Sequence, residues 1–392
     1  MRQSRKKWER RREVHRNKLA AVIFVIMMIA FCVVNLATGD REFSATENRA
    51  LEQRPELTIS GIESGRWMEQ YESYVSDQFA GRDFWVMLKS RVDLLAGKRK
   101  ANGVFKGKDH YLLEDIAKPD EDQMKENLSA MKKFQKQYKD IPMHMMLVPN
   151  AANIESDKLP GYAVTENQEK QFKAIHSTLG SVYTWVDVSD ILKKHRSEEI
   201  YYHTDHHWTT LGAYYGYQAL SKSMKLDTSK TSDMKPYAVT NAFNGTLAST
   251  SGYETGYDEP IYIYAPDNLK NATEAVVNNV NEKKKTATLY DTSKLKGKDK
   301  YALFLGGNYP ILDIKTTADS TDRLLIIKDS YANSLIPFLI PYYREIVVVD
   351  PRYYYDDIEK VMKKDNITSV LFLYNGNTFV KDNSISGVLQ ND

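Results

Sequence analysis

The stretch Leu19–Leu36, LAAVIFVIMMIAFCVVNL, runs for eighteen residues without a charge, and it constrains this chain more than any other feature. A helix of that length comes close to crossing the hydrocarbon core of a bilayer. Ahead of it, residues 1–18 hold nine Lys/Arg against two acids, and positive flanks stay on the cytoplasmic side. The sequence therefore predicts a cytoplasmic basic tail (1–18), one transmembrane helix (19–36) and, beyond Ala37, a chain anchored at the cell membrane with its bulk outside the cytoplasm. A cleaved signal peptide is the rival reading, but the apolar run exceeds an ordinary signal core and VVNLATGDREF offers no A-x-A site. Lipidation of Cys32 would place bulky Phe31 where small residues belong, so a cysteine acting as a small hydrophobe fits better.

What remains is long enough, in a chain of 392 residues with 42% apolar content, to bury one large core. Since the whole chain carries a net charge of only +2 and the tail is strongly basic, the remainder is acidic, a poor match for nucleic acid. Cys32 is the only cysteine, which excludes intramolecular disulfides and zinc-thiolate or iron-sulfur sites. Packing has to supply the stability.

Residues 37–100 read as a polar stalk with turns at Asn48-Arg49 and Pro55, followed by helical spacing from Trp67 to Leu95 that packs on the domain. From 101 to 392 a single α/β domain is expected. Gly103–Leu113 suggests a hairpin around Lys106–Asp109. Helical periods at 123–138, 168–179, after Trp208 and at 331–339 alternate with apolar strands at 143–148, 183–188, 324–328, 346–349 and 370–374. That alternation is the mark of a mainly parallel sheet flanked by helices. Residues 225–300, rich in Lys, Thr, Asn and Asp, break the rhythm and read as an insertion.

Two stretches carry candidate chemistry. In YYHTDHHWTTLGAYY, Asp205 and His207 stand two apart, so in an extended or turn conformation both side chains face one way. The carboxylate can then hold one ring nitrogen while the other serves as a base. A structural hydrogen-bonded pair is the plainer alternative. A metal site built from His203, Asp205, His206 and His207 is another, weakened because adjacent ligands point to opposite sides and no further His-x-x-His spacing supports it. In DRLLIIKDSYANSLIPFL an apolar strand ends at Lys328-Asp329 and delivers Ser330 to a strand-to-helix turn. Ligand chemistry gathers there in open parallel sheets. Ser330 is either a nucleophile or a helix cap.

Together these stretches resemble the DHHW family, relatives of the alginate O-acetylation proteins that carry an SGNH-hydrolase-like acetyltransferase domain. The naming motif stands as Asp205-His206-His207-Trp208. The resemblance extends to SATENRALEQRPEL, DQFAGRDFW, VPNAANIESDKLP, NGTLASTSGY and FLGGNYP. No glycine precedes Asp329 as in the usual G-D-S block. The resemblance implies an SGNH-hydrolase-like (flavodoxin-like) sheet in permuted order, with a catalytic Ser330–His207–Asp205 triad that leaves His206 outside. It also implies that Asp350-Pro351-Arg352 is the D-x-R element following the serine.

Arg352, Asn375, Asn308, Tyr374 and Trp208 are the candidates for binding substrate or lining an oxyanion hole; a surface ion pair, turn asparagines and aromatic packing are their plainer roles. No cofactor and no metal is called for. The activity implied is O-acetyl transfer through an acyl-serine to an exopolysaccharide or cell-wall glycopolymer, with a multipass membrane-bound O-acyltransferase as partner delivering the acetyl group. A carbohydrate esterase with the same three residues and a non-catalytic polymer-binding scaffold are the alternatives.

Overall fold

A computed structural model describes residues 2–44, 49–268 and 272–390. The expected turn at Asn48 and residues 45–48 of the family-like segment lie outside the described residues. The chain divides into two compact units, Met1–Val92 and Asp93–Asp392.

The first unit holds helix α1 (Arg2–Ala37), whose apolar part is long enough to cross a membrane, a property that membrane anchors and signal sequences share. The single helical period expected from Trp67 onward is two helices, α2 (Arg66–Asp77) and α3 (Arg82–Leu95). They part at Gly81, whose φ of +67° is one that a residue with a Cβ rarely adopts. Within this unit the end of α1 is tied in: Asn35 Oδ1 accepts from the Ala80 amide at 2.8 Å, and the Phe31 ring lies 6.4 Å from Phe79 and 6.0 Å from Trp85.

The second unit begins with a small antiparallel sheet, β1 (Lys100–Ala101), β2 (Val104–Lys106) and β3 (Leu112–Glu114), in which β2 and β3 form the expected hairpin. Next come α4 (Glu121–Gln137), β4 (Met143–Val148), α5 (Gln168–Leu179), β5 (Thr184–Trp185) and α6 (Thr210–Met224). They lead into β6 (Met234–Phe243), the short α7 (Thr246–Ser251) and β7 (Glu259–Pro266), with β6 and β7 paired as a separate antiparallel ribbon. The remainder is β8 (Ala275–Asn279), β9 (Lys284–Thr286), β10 (Ile311–Thr316), β11 (Arg323–Lys328), β12 (Glu345–Val349), α8 (Ile358–Lys364), β13 (Ser369–Asn375) and α9 (Gly376–Lys381).

Eight strands form the main sheet in the order β9-β8-β10-β12-β11-β13-β4-β5. The five from β12 to β5 are parallel, and β10, β8 and β9 extend the sheet antiparallel. The fold is thus α/β with a mixed, mostly parallel sheet, and part of the expected insertion supplies two of its strands. The parallel strands read as unbroken apolar runs because both faces are covered. Leu324, Ile326, Met146, Leu371 and Leu373 feed one core, while Leu325, Ile327, Met145, Val370 and Phe372 feed the other.

Two sequence expectations are corrected. The strand expected at 183–188 pairs only at Thr184–Trp185. The helix expected at 331–339 is two 3-10 turns, Ser330–Ser334 and Ile336–Phe338, because Pro337 lacks an amide hydrogen and its ring clashes with the carbonyl four residues back in an α-helix.

The chain leaves β11 for β12 on one side, then crosses to β13 on the other. That reversal opens a crevice at the carboxyl end of β11, the usual ligand site of open α/β sheets. Ser330 sits there.

Candidate active site

The Asp205–His207 loop is the tip of a hairpin. Tyr201 and Trp208 pair as an isolated antiparallel bridge, and Tyr202 N donates to His207 O at 3.2 Å. Glu259, at the start of β7, pins the turn. Its carboxylate accepts from the His203 and Thr204 amides at 2.8 Å each and from the Thr204 hydroxyl at 2.6 Å.

Asp205 is 1% exposed and accepts four hydrogen bonds. One oxygen takes the His207 amide (3.0 Å) and faces His207 Nδ1 (2.5 Å), while the other takes the Thr246 amide (2.8 Å) and hydroxyl (2.9 Å). Burial pushes this carboxyl up, yet the neighbouring His207 and His206 rings and these hydrogen bonds more than reverse it and hold it well below the usual carboxylate range. Gly245 makes the approach possible: a Cβ there would lie 2.3 Å from Asp205 Cβ. His206, between the pair, contacts Thr246 Oγ1 at 2.7 Å with its ring 3.9 Å from that of His207, and burial lowers its pKa.

The other nitrogen of His207, Nε2, lies 2.7 Å from Ser330 Oγ. Its ring stacks on Tyr301 at 3.7 Å with 9° between planes, and the Tyr301 hydroxyl donates to Ser330 O (3.2 Å) and Ser334 Oγ (3.1 Å). Asp329 clamps the turn carrying the serine, accepting from the Tyr331 and Asn375 amides at 2.9 Å each. Among the described residues no acceptor takes the Ser330 amide, leaving a donor beside its own hydroxyl. The three side chains thus form one hydrogen-bonded line from a buried carboxylate to a half-exposed hydroxyl. Such a line can move the serine proton onto the imidazole as the oxygen attacks a carbonyl.

The remaining candidates separate into two groups. Trp208 and Tyr374 are fully buried, so neither offers a surface to substrate. Trp208 Nε1 instead ties the hairpin to the serine turn through Tyr331 O (3.0 Å) and Ser334 Oγ (3.1 Å). Asn375 is also buried, its oxygen accepting the Asn377 amide (2.9 Å) as the cap of α9 and its amide donating to Val148 O (3.3 Å). These three expectations give way to packing and capping. Arg352 and Asn308 are accessible. Arg352 holds Asp350 bidentately at 2.8 and 2.6 Å, and Asp350 also meets the buried Lys328 at 3.3 Å. Asn308 Oδ1 accepts from Lys328 Nζ (2.9 Å) and Asn333 Nδ2 (3.1 Å), and two donors on one atom identify it as the oxygen. Its Nδ2 has no acceptor among the described residues, so it is free to donate.

Asp205, His206 and His207 each place one possible ligand atom within 4.8 Å of the others. A cation there would have to break the hydrogen bonds that already use both Asp205 oxygens and both His207 nitrogens. Sequence reasoning did not find Thr246, Tyr301, Glu259 or the need for Gly245. Thr246 and Gly245 lie in NGTLASTSGY, whose likeness to the family was the one available signal; Tyr301 and Glu259 had none.

The profile of the family described as DHHW protein matches residues 126–349. A solved DHHW family protein from Eubacterium siraeum has the same fold, at 24% identity and a TM-score of 0.60, covering 75% of this chain and 96% of its own. PatB1 of Bacillus cereus, solved also with a sulfonyl adduct, shares 21% identity at a TM-score of 0.60 and covers 73% of this chain; this chain spans 99% of the adduct-free structure. The O-acetyltransferase domain of Pseudomonas putida AlgJ matches at 14% identity and a TM-score of 0.47, covering 72% of this chain and 94% of its own. No curated protein matches in sequence.

Proposed function

The chain belongs to the DHHW family, and from that premise we propose that it is a membrane-anchored, extracytoplasmic O-acetyltransferase acting on an exopolysaccharide or cell-wall glycopolymer. The observation that carries the reading is the line Asp205–His207–Ser330, with contacts of 2.5 and 2.7 Å, standing at the crevice where strand order reverses. We read the sheet as SGNH-hydrolase-like in permuted order, since the serine follows the Asp-x-His pair in the chain.

Ser330 Oγ attacks the acetyl carbonyl while His207 Nε2 takes its proton, and Asp205 steadies the imidazolium. The proton passes to the departing donor group, leaving acetyl-Ser330. A sugar hydroxyl then gives its proton to His207, attacks the ester carbonyl and leaves acetylated as the Ser330 ester bond breaks, and His207 returns that proton to Ser330 Oγ. The Ser330 amide and the Asn308 Nδ2 are the donors suited to the tetrahedral oxyanion. The acetyl group reaches this side of the membrane through a multipass O-acyltransferase partner.

The anchor reading is supported by Asn35, Phe31, Phe79 and Trp85, whose contacts knit the end of α1 into the first unit, contacts that removal of a signal peptide would abandon. In a carbohydrate esterase water would replace the sugar at the same intermediate.

The test supplies an acetylated donor with and without oligosaccharide and follows new sugar esters. Phenylmethylsulfonyl fluoride, whose chemistry parallels the adduct on PatB1, should label Ser330, with the site read by peptide mass. Transfer that survives Ser330→Ala, or label on another residue, overturns the proposal. Free acetate without sugar ester selects the esterase.

A further inference from the structure

A cavity of about 480 Å³ lies at the base of the Asp205–His207 hairpin, between it, the start of α6 and the β6–β7 ribbon. It is within the size range of small-molecule sites. Four tyrosines line it, Tyr202, Tyr257, Tyr262 and Tyr264, together with Glu199 and Glu259. We propose that this cavity is a glycan subsite for a hexopyranose without an acidic group, with an amino sugar favoured over a neutral one. Its role in presenting the acceptor rests on the acetyltransferase reading; the binding itself does not.

The accessible rings, Tyr257 and Tyr262, suit the C–H faces of a pyranose, and sugar hydroxyls need polar partners placed among them. One such partner is built in. The Glu199 side chain is 71% exposed and is held at 2.6 Å by His203 Nε2, itself stacked between Tyr111 and Tyr257.

The charge pattern selects the sugar. Glu199 is the accessible carboxylate of the lining, Glu259 being spent on the hairpin, and no Lys or Arg joins it, so a uronate or phosphorylated sugar meets repulsion and an ammonium meets attraction. The cavity wall shares its packing with the candidate site: the buried Tyr202 ring is 6.4 Å from Tyr301, which stacks on His207 at 3.7 Å.

Calorimetric titration of the full chain in lipid nanodiscs tests this with three probes: a fully deacetylated glucosamine tetramer, cellotetraose and tetragalacturonate. The expected order of affinity is glucosamine tetramer, then cellotetraose, with tetragalacturonate failing to bind. Tyr262→Ala removes a partly exposed ring and should weaken the first two by about tenfold. Glu199→Gln should weaken the glucosamine tetramer more than cellotetraose. Melting curves check that both variants remain folded. Tetragalacturonate binding as tightly as cellotetraose, or affinities unmoved by both folded variants, overturns the subsite. Sugar binding that follows the expected pattern in a chain that transfers no acetyl group sinks the acetyltransferase reading and leaves the subsite standing.

Discussion

Replacing Asp205 by Asn tests whether this carboxylate orients His207. The carboxylate accepts from two donors on the His207 side and two on the Thr246 side, and all four are N–H or O–H groups. An amide keeps one accepting oxygen, so its NH2 must face a pair of donors on one side or the other. Facing His207, it leaves Nδ1 unprotonated and moves the hydrogen to Nε2, where it points at Ser330 and cannot take the serine proton. The corresponding change in serine proteases costs about 10⁴ in kcat, or about 5 kcal/mol of transition-state stabilisation. Facing Thr246, it sacrifices two charge-assisted bonds in a site that is 1% exposed, and stability falls by about 2–4 kcal/mol. Because the folded carboxyl is held below its unfolded value, its contribution is fully present above the unfolded pKa of about 3.9 and is lost only as pH falls through the folded value. The stability deficit should therefore be undiminished when pH is lowered from 8 to 5. Hydrolysis of 4-nitrophenyl acetate and the rate of sulfonyl labelling at Ser330 would report the chemistry, with thermal melts reporting the fold. A folded Asp205→Asn protein within about tenfold of wild-type rates would refute the assigned role of Asp205.

Three further perturbations follow from the same structure. Glu155 is 1% exposed with an unpartnered oxygen, and burial raises its pKa to about 7 from 4.5. The folded state thus holds this proton more tightly and loses stability as pH rises from 4.5 to about 7. Glu155→Gln should gain on wild type across that window, by up to about 3 kcal/mol, and parallel melting-temperature curves would contradict this. Asp350→Asn strips the buried Lys328 and the half-buried Arg352 of their shared counter-ion and should cost about 3–5 kcal/mol in urea denaturation. Adding Lys328→Met should recover part of that loss, and a loss well below 1 kcal/mol would show the network to be slack. Gly245→Ala drives a Cβ to 2.3 Å from Asp205 Cβ and 2.5 Å from its Oδ2, so the hairpin tip must move. Ester hydrolysis should fall far more than melting temperature, and wild-type turnover would mean the tip tolerates displacement.

What could be read from the chain follows the range of the forces involved. The parallel strands were visible because burial on both faces writes an unbroken apolar run such as Leu324–Ile327, and the strand-end position of Ser330 followed from where that run stops. The Asp-x-His spacing was visible too, since it brings Asp205 and His207 together; His206, which strict alternation would send to the other face, instead keeps its ring 3.9 Å from that of His207 and contacts Thr246. β10 was missed, because as an antiparallel strand with a half-open face it alternates apolar residues with Asp313 and Lys315 instead of running apolar. The supports of the site were hidden for a different reason. Thr246, Glu259 and Tyr301 reach the motif from 41 to 94 positions away along the chain, and a contact that distant leaves no local period. Thr246 and Glu259 lie in residues 225–300, where the helix and strand rhythm fails, and Tyr301 follows directly after. The segment read as an insertion in sequence therefore holds the carboxylate and the turn in place, and the residue just after it holds the imidazole. It reads as irregular because its residues are chosen to fit the hairpin carrying Asp205 and His207, and not a repeating face of their own.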